Sequence, residues 1–170
     1  MKTLSDLISG HPGTSRAIGA PSREWMSYDG LRKLSRDVNS SLRKAGIGAS
    51  DRVAIVLPNG PEMAAAFVTI AQSATTAPLN PAYRDEEFAF YLEDLKARAL
   101  VVEAGYDGPA RAVAERFNMI VFELTSLEPA GNFILSTNVT GEAKAAVPGA
   151  DDVALILHTS GTTSRPKIVP

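Results

Sequence analysis

Asp51-Arg52-Val53-Ala54-Ile55-Val56-Leu57-Pro58-Asn59-Gly60-Pro61-Glu62 is the stretch whose reading decides the fold. Its apolar run, 53–57, is continuous rather than alternating, which is the pattern of a strand covered on both faces. Helix-start chemistry follows at once. Asn59 stands as an N-cap, Pro61 lies in the first turn and Glu62 at the third helical position. Met63, Phe67, Ile70 and Ala71 then recur at offsets of 0, 4, 7 and 8, the spacing of a mostly buried helix.

Working outward, three more short apolar runs repeat the strand signal: Ala99-Leu100-Val101-Val102, Met119-Ile120-Val121-Phe122 and Val153-Ala154-Leu155-Ile156-Leu157. Helical segments fall between them. Asp85, Glu86 and Glu87 put negative charge on a helix's positive end, Phe88, Tyr91, Leu92 and Leu95 form one stripe, and Lys96 and Arg98 close the far end. Ala110, Val113 and Phe117 mark a shorter helix, and Leu31, Leu34, Val38 and Leu42 predict one over 27–45, ended by Gly46. Residues 16–20 and 24–28 read as a short antiparallel pair around Pro21-Ser22. From 125 to 152 the pattern weakens into a loose connection with one short strand signal at Phe133-Ile134-Leu135. Strands alternating with helices predict a layered α/β fold with a largely parallel sheet.

Composition narrows the function. With 170 residues, 45% hydrophobic and 21% charged, the chain has the make-up of a soluble globular domain, and one compact domain fits the length. A formal net charge of −2 argues against nucleic acid or an anionic membrane held by bulk electrostatics, so any polyanion bound must be small and held locally. There is no Cys, which removes disulfides, thiolate metal sites and Cys nucleophiles. His11 and His158 are the only histidines, too far apart in sequence to suggest a zinc site. The first residues, with Asp6 where an apolar core would be needed, do not read as a secretory signal. Residues 63–83 lack charge, but Gln72, Ser73, Thr75, Thr76, Asn80, Pro78 and Pro81 turn that stretch into a buried helix running into a strand rather than a membrane span.

The chemistry concentrates near the end, in Ile156-Leu157-His158-Thr159-Ser160-Gly161-Thr162-Thr163-Ser164-Arg165-Pro166-Lys167. A buried strand runs directly into a loop with five hydroxyls, one Gly, one Arg and one Lys. Closely spaced backbone N–H groups and Ser/Thr hydroxyls can converge on phosphate oxygens, with Gly161 permitting close approach and Lys167 adding charge. The carboxyl end of a strand is also where open α/β sheets bind ligands. It is not a Walker A loop, because Lys167 sits between Pro166 and Ile168 instead of between Gly and Ser/Thr. The residues alone also fit a solvated Ser/Thr-rich turn before an edge strand.

Thr159 to Lys167, TSGTTSRPK, resembles the phosphate-binding signature of the adenylate-forming (AMP-binding) superfamily, which includes acyl-CoA synthetases, 4-coumarate–CoA ligases, luciferases and peptide-synthetase adenylation domains. Two further blocks resemble that family in order and spacing. They are the 51–62 stretch, and Ala77-Pro78-Leu79-Asn80-Pro81-Ala82-Tyr83 followed by Glu86, Glu87, Tyr91 and Leu92. The likeness spans residues 16–170. Most members carry Gly where this chain has Ser164, and the form HTSGTTSRPK with Asp85-Glu86-Glu87-Phe88-Ala89-Phe90-Tyr91-Leu92 looks like the oxalate–CoA ligase branch.

The resemblance implies an ATP-dependent acid–CoA ligase that adenylates a small carboxylic acid such as oxalate and passes the acyl group to coenzyme A, using ATP, Mg2+ and CoA. It assigns the ATP phosphates to Thr159, Ser160, Gly161, Thr162, Thr163, Ser164, Arg165, Pro166 and Lys167. It places no catalytic residue and no metal ligand in residues 1–170, which correspond to the first part of the family's large N-terminal domain. The rest of that domain and the small C-terminal domain lie downstream. The piece alone is then expected to be inactive and to favour self-association through its truncated surface. A non-catalytic truncated module serving as scaffold or interaction domain is the rival reading. A cytoplasmic location is expected, with a peroxisomal one as the alternative. Among lesser candidates, His158 reads as a hydrogen-bonded strand-end residue, Asp151 and Asp152 as turn residues, Glu86 and Glu87 as helix-dipole charges, Asn138 as an unmodified acceptor, and Trp25 and Tyr28 as packing under the 27–45 helix.

Overall fold

A computed structural model describes residues 3–143, 147–159 and 166–170. The chain opens with α1 (Leu4–Ser9), which sequence reading passed over. A capping box starts it: the Thr3 hydroxyl accepts from the Asp6 N–H at 3.1 Å and the Asp6 carboxylate accepts from the Thr3 N–H at 2.9 Å. Strands β1 (Arg16–Ile18) and β2 (Met26–Ser27) then form the expected antiparallel pair. The Ser27 hydroxyl caps α2 (Tyr28–Lys44), whose buried stripe is Leu31, Leu34, Val38 and Leu42. Gly46 ends it at φ 82°, a left-handed turn that lets the Ile47 N–H reach the Leu42 carbonyl at 2.9 Å.

The central body follows as β3 (Arg52–Ile55), α3 (Pro61–Ile70), β4 (Thr75–Pro78), α4 (Asp85–Asp94), β5 (Ala99–Glu103), α5 (Pro109–Arg116), β6 (Ile120–Leu127) and β7 (Asn132–Ser136). Its sheet has the order β4-β3-β5-β6-β7; the first four strands are parallel, and β7 returns antiparallel on β6. A last small hairpin pairs β8 (Leu157–His158) with β9 (Ile168–Val169).

The continuous apolar runs are explained by two cores. Val53, Ile55 and Leu57 point to one face, where they pack with Leu34, Val38, Leu42, Ala65 and Ile70 of α2 and α3. Ala54 and Val56 point to the other, against Phe88, Leu92, Val113 and Ala114 of α4 and α5. A strand with no solvated face has no polar positions to alternate with. The helix that begins the uncharged stretch is α3, and the strand it runs into is β4. The Thr69 hydroxyl donates to the Ala65 carbonyl at 2.8 Å, so its burial leaves no polar group unsatisfied. Among the described residues no helix is long and apolar enough to cross a membrane.

Several local expectations are corrected. The N-cap of α3 is Gly60, in extended backbone and without a side-chain cap, rather than Asn59. Lys96 and Arg98 lie beyond α4, which has no basic residue in its last turn; Lys96 takes φ 48° just past the helix end, and Arg98 leads into β5. Phe117 is the C-cap of α5 and 38% exposed; Ala114 takes the buried place beside Ala110 and Val113. The connection after 125 is less loose than expected: it holds the rest of β6, and the strand signal at Phe133-Ile134-Leu135 is borne out as β7, a regular hairpin partner in which Leu135 pairs with Leu124. The 153–157 run is not a full strand: Leu155 makes a single parallel bridge to Thr76 of β4, and the Thr75 and Thr76 hydroxyls donate to the carbonyls of Val153 and Ala154, each at 2.7 Å. Trp25 does not pack under α2. It is 52% exposed, with Arg16 over its ring.

One ion cluster ties three of these pieces together. Arg23, between β1 and β2, reaches Glu62 in the first turn of α3 at 2.6 Å, Glu128 at 2.8 Å and the Leu127 carbonyl at 2.7 Å. The Gly131 N–H donates to the same Glu62 carboxylate at 3.2 Å. Burial pushes the Glu62 carboxyl up, but the Arg23 guanidinium and the backbone N–H groups outweigh it and hold the carboxyl below its usual range. A carboxyl depressed in the folded chain stabilises it fully above the unfolded value, about 4.3, and that contribution is lost as pH falls through the lower folded value. Glu62→Gln should therefore lower unfolding free energy at pH 7 by about 1–3 kcal/mol in urea titrations, and the gap from wild type should close in acid.

Candidate functional site

The hydroxyl-rich loop springs from the β8–β9 hairpin. Its two ends are drawn together: the Thr159 N–H donates to the Lys167 carbonyl at 3.0 Å, and the Lys167 N–H reaches the Thr159 hydroxyl at 3.4 Å. Thr159 and Lys167 are both exposed, and Pro166 is half-buried. Of the nine expected phosphate-binding residues, these three are described; Ser160, Gly161, Thr162, Thr163, Ser164 and Arg165 lie outside the described residues. The hairpin thus draws the Lys167 backbone against Thr159 and closes the mouth of the loop, leaving both residues exposed there.

Helix α4 carries the hairpin. The side chain of His158 is 7% exposed, and its Nε2 lies 3.0 Å from Asp94 Oδ2 in the last turn of α4. A carboxylate accepts, so Nε2 carries the proton of this bond. The His158 ring meets Tyr91 edge-on at 4.7 Å between centroids, Tyr91 stacks on Tyr83 at 4.8 Å, and Tyr83 meets Phe88 edge-on at 5.8 Å. At the other end of α4, Pro166 shares a hollow with Glu86, Glu87, Phe90 and Tyr91. Ile168 packs against the core below, while Val169 and Leu157, which pair with each other across the hairpin, face out. The hairpin therefore lies along the helix from its first turns to its last.

The sequence makes α4 a firm base. Its N-terminus is fixed by Glu87, which accepts from the Arg84 N–H at 2.9 Å, and by three acidic residues in the first turn. Phe88 and Leu92 anchor it in the core. Burial, then hydrogen bonding to Tyr91, pushes the Tyr83 phenol up to about 12.

Other sequence candidates fall into structural roles. His11 stacks on Tyr28 at 4.3 Å, and Asp152 accepts from the Gly149 N–H at 2.7 Å in a turn. Asn138 is exposed. Among the described residues no group of three or more His, Cys, Asp or Glu stands together to hold a metal ion. The hollow beside α1 and α2, which Arg32, Ser35, Asn39 and Gln72 help to line, shares no residue with the hairpin. Asp94 was missed in the sequence. Its partner lies 64 positions away, and nothing in the local pattern of α4 distinguishes it from an ordinary surface charge.

Comparison with known proteins gives the chain relatives. The sequence model of the family described as AMP-binding enzyme matches residues 7–170. An oxalate–CoA ligase of Arabidopsis thaliana is 38% identical over 161 residues, covering 91% of this chain and 31% of the relative. An oxalate–CoA ligase of Saccharomyces cerevisiae is 36% identical over 146 residues, covering 71% and 27%. The crystal structure of ATP-bound MatB from Rhodopseudomonas palustris superposes with a TM-score of 0.77 and 25% identity, over 98% of this chain and 34% of that one. The chain spans about a third of the length of the proteins it matches.

Titration of the four tyrosines by ultraviolet absorbance should show one that ionises at about 12. Tyr83→Phe should delete that step, and Tyr91→Leu should move it toward the ordinary tyrosine value of about 10.

Proposed function

The chain belongs to the AMP-binding enzyme family, and on that footing we propose that it is the phosphate-holding part of an ATP-dependent acid–CoA ligase of its relatives' length. In this reading residues 1–170 form the first part of a large N-terminal domain, and the remainder of the enzyme supplies the acyl pocket and completes the chemistry. A carboxylate oxygen of the acid attacks the α-phosphorus of ATP, the bond to the β-phosphate oxygen breaks, and pyrophosphate leaves from an acyl-adenylate. The sulfur of coenzyme A then attacks the acyl carbonyl and AMP departs.

Negative charge builds on the departing pyrophosphate, so a preorganised set of donors aimed at it lowers the barrier without moving a proton. Thr159, Ser160, Thr162, Thr163 and Lys167 are the proposed donors to the β- and γ-phosphates. Gly161 keeps the backbone open to the ligand, and Ser164, Arg165 and Pro166 complete the loop. The observation that carries this reading is the closure between Thr159 and Lys167, whose backbone bonds hold the two ends of the loop together and leave both residues exposed. Mg2+ belongs in this proposal to the nucleotide's own phosphates, a mode that needs few protein ligands.

Oxalate, or another small carboxylic acid, is the proposed substrate. Support comes from two relatives named oxalate–CoA ligases at 38% and 36% identity. Exposed Leu157 and Val169 on the outer face of the hairpin support a further contact there, either with the rest of the enzyme or with a second copy of the isolated chain.

Two measurements test the proposal in a full-length enzyme carrying this chain. Lys167→Ala and Thr163→Ala should each reduce ATP–pyrophosphate exchange by about tenfold or more, since loss of 1.36 kcal/mol of transition-state binding is a factor of ten; unchanged exchange would take the loop out of the reaction. In a panel of acids assayed for CoA thioester formation, oxalate should be preferred to a long-chain fatty acid, and the opposite order would refute the substrate assignment.

A further inference from the structure

We infer that Asp94 and His158 are positioning residues for the phosphate loop, acting as a fixed strut between α4 and the residue that precedes Thr159. The inference rests on the phosphate-holding reading above and adds to it a control point outside the loop.

The side chain of His158 is nearly buried yet its ring reaches a carboxylate, with Nε2 and Asp94 Oδ2 3.0 Å apart. The imidazole half of the pair is shielded from water while Asp94, at 40% exposed, stays partly solvated, so the bond holds its partners more firmly than a fully solvated surface pair does. Rotation of the imidazole is blocked as well, because Tyr91 meets it at 4.7 Å and is itself stacked on Tyr83. Three contacts in series therefore run from the core to the loop: Phe88 to Tyr83, Tyr83 to Tyr91, and Tyr91 to His158.

Chain geometry turns that rigidity into alignment. His158 pairs with Ile168 across the hairpin, and Thr159 and Lys167 are the next residues on each side. Fixing His158 thus fixes both ends of the loop. Two features of the site indicate that the strut serves more than packing. Helix α4 has no basic residue in its last turn, so the proton donor at that end comes from the loop's own stem. Apolar residues would fill the same space, whereas a directed donor and acceptor select one angular setting. A displaced stem sets the loop out of line with the phosphates of bound ATP, so the loss is read in the affinity for ATP.

The test uses a full-length enzyme that carries this chain, ATP–pyrophosphate exchange as the assay, and Lys167→Ala as the control. Asp94→Leu should raise the KM for ATP by about tenfold with the KM for the acid unchanged. His158→Phe, which keeps an aromatic ring against Tyr91 but has nothing to donate, should do the same and serves if Asp94→Leu does not fold. Asp94→Asn and His158→Gln, which preserve an acceptor and a donor, should restore most of the affinity for ATP. The double variant Asp94→Leu/His158→Phe should be no worse than either single one. If Lys167→Ala abolishes exchange while Asp94→Leu and His158→Phe leave the KM for ATP unchanged, or if Asp94→Asn and His158→Gln are as impaired as Asp94→Leu, the strut is refuted and the phosphate-holding reading stands. If Lys167→Ala leaves exchange intact, both fall.

Discussion

Burial of the parallel strands on both faces is the constraint from which the rest of the molecule follows. Val53 and Ile55 point to one layer of helices and Ala54 to the other, so β3 needs partners above and below as well as at its sides. Parallel neighbours require a crossover between strands, and α3, α4 and α5 are those crossovers. Each helix is thereby committed to a core with one face and left free on the other. For α4 that free face carries Tyr91 and Asp94, and it is the surface on which the β8–β9 hairpin lies.

A loop that is proposed to grip phosphate needs donors left open to the ligand, so the firmness of its stem matters. Here the stem is closed by the bonds between Thr159 and Lys167 and is seated on α4 through His158 and Ile168. The N-terminal half of α4 is in turn anchored by its capping box and by Phe88 and Leu92 in the core. Rigidity passes from sheet to helix to hairpin, and ends at the residues that meet solvent.

The fold was legible because double burial writes itself into the sequence as unbroken apolar runs, and because α2 and α4 carry start signals and one-sided stripes. Where interaction at a distance decides, the sequence was silent. The run 153–157 reads as a full strand by composition, yet only Leu155 bridges to β4, and the hydroxyls of Thr75 and Thr76 take the neighbouring carbonyls. The strand signal at Phe133-Ile134-Leu135 was readable and stands at the centre of β7, but its regular pairing with β6 was not. Trp25 offered large apolar area and was expected inside; it lies against Gly19, where even one added methyl carbon would clash with the ring, and under Arg16. In the candidate site the hydroxyls and Lys167 pointed to the loop as a site, and the structure describes its two ends. The support was not legible, since His158 looks like a strand end and Asp94 like a surface charge until the two are brought together in space.

The central claim is that the mouth of this loop binds the polyphosphate of ATP. It is tested most directly by a crystal structure of a full-length enzyme carrying this chain with a non-hydrolysable ATP analogue. The account predicts β- or γ-phosphate oxygens within about 3 Å of the Thr159 hydroxyl and the Lys167 ammonium, with the His158–Asp94 contact intact beneath them. A nucleotide seated elsewhere, with Thr159 and Lys167 facing only water, would contradict it.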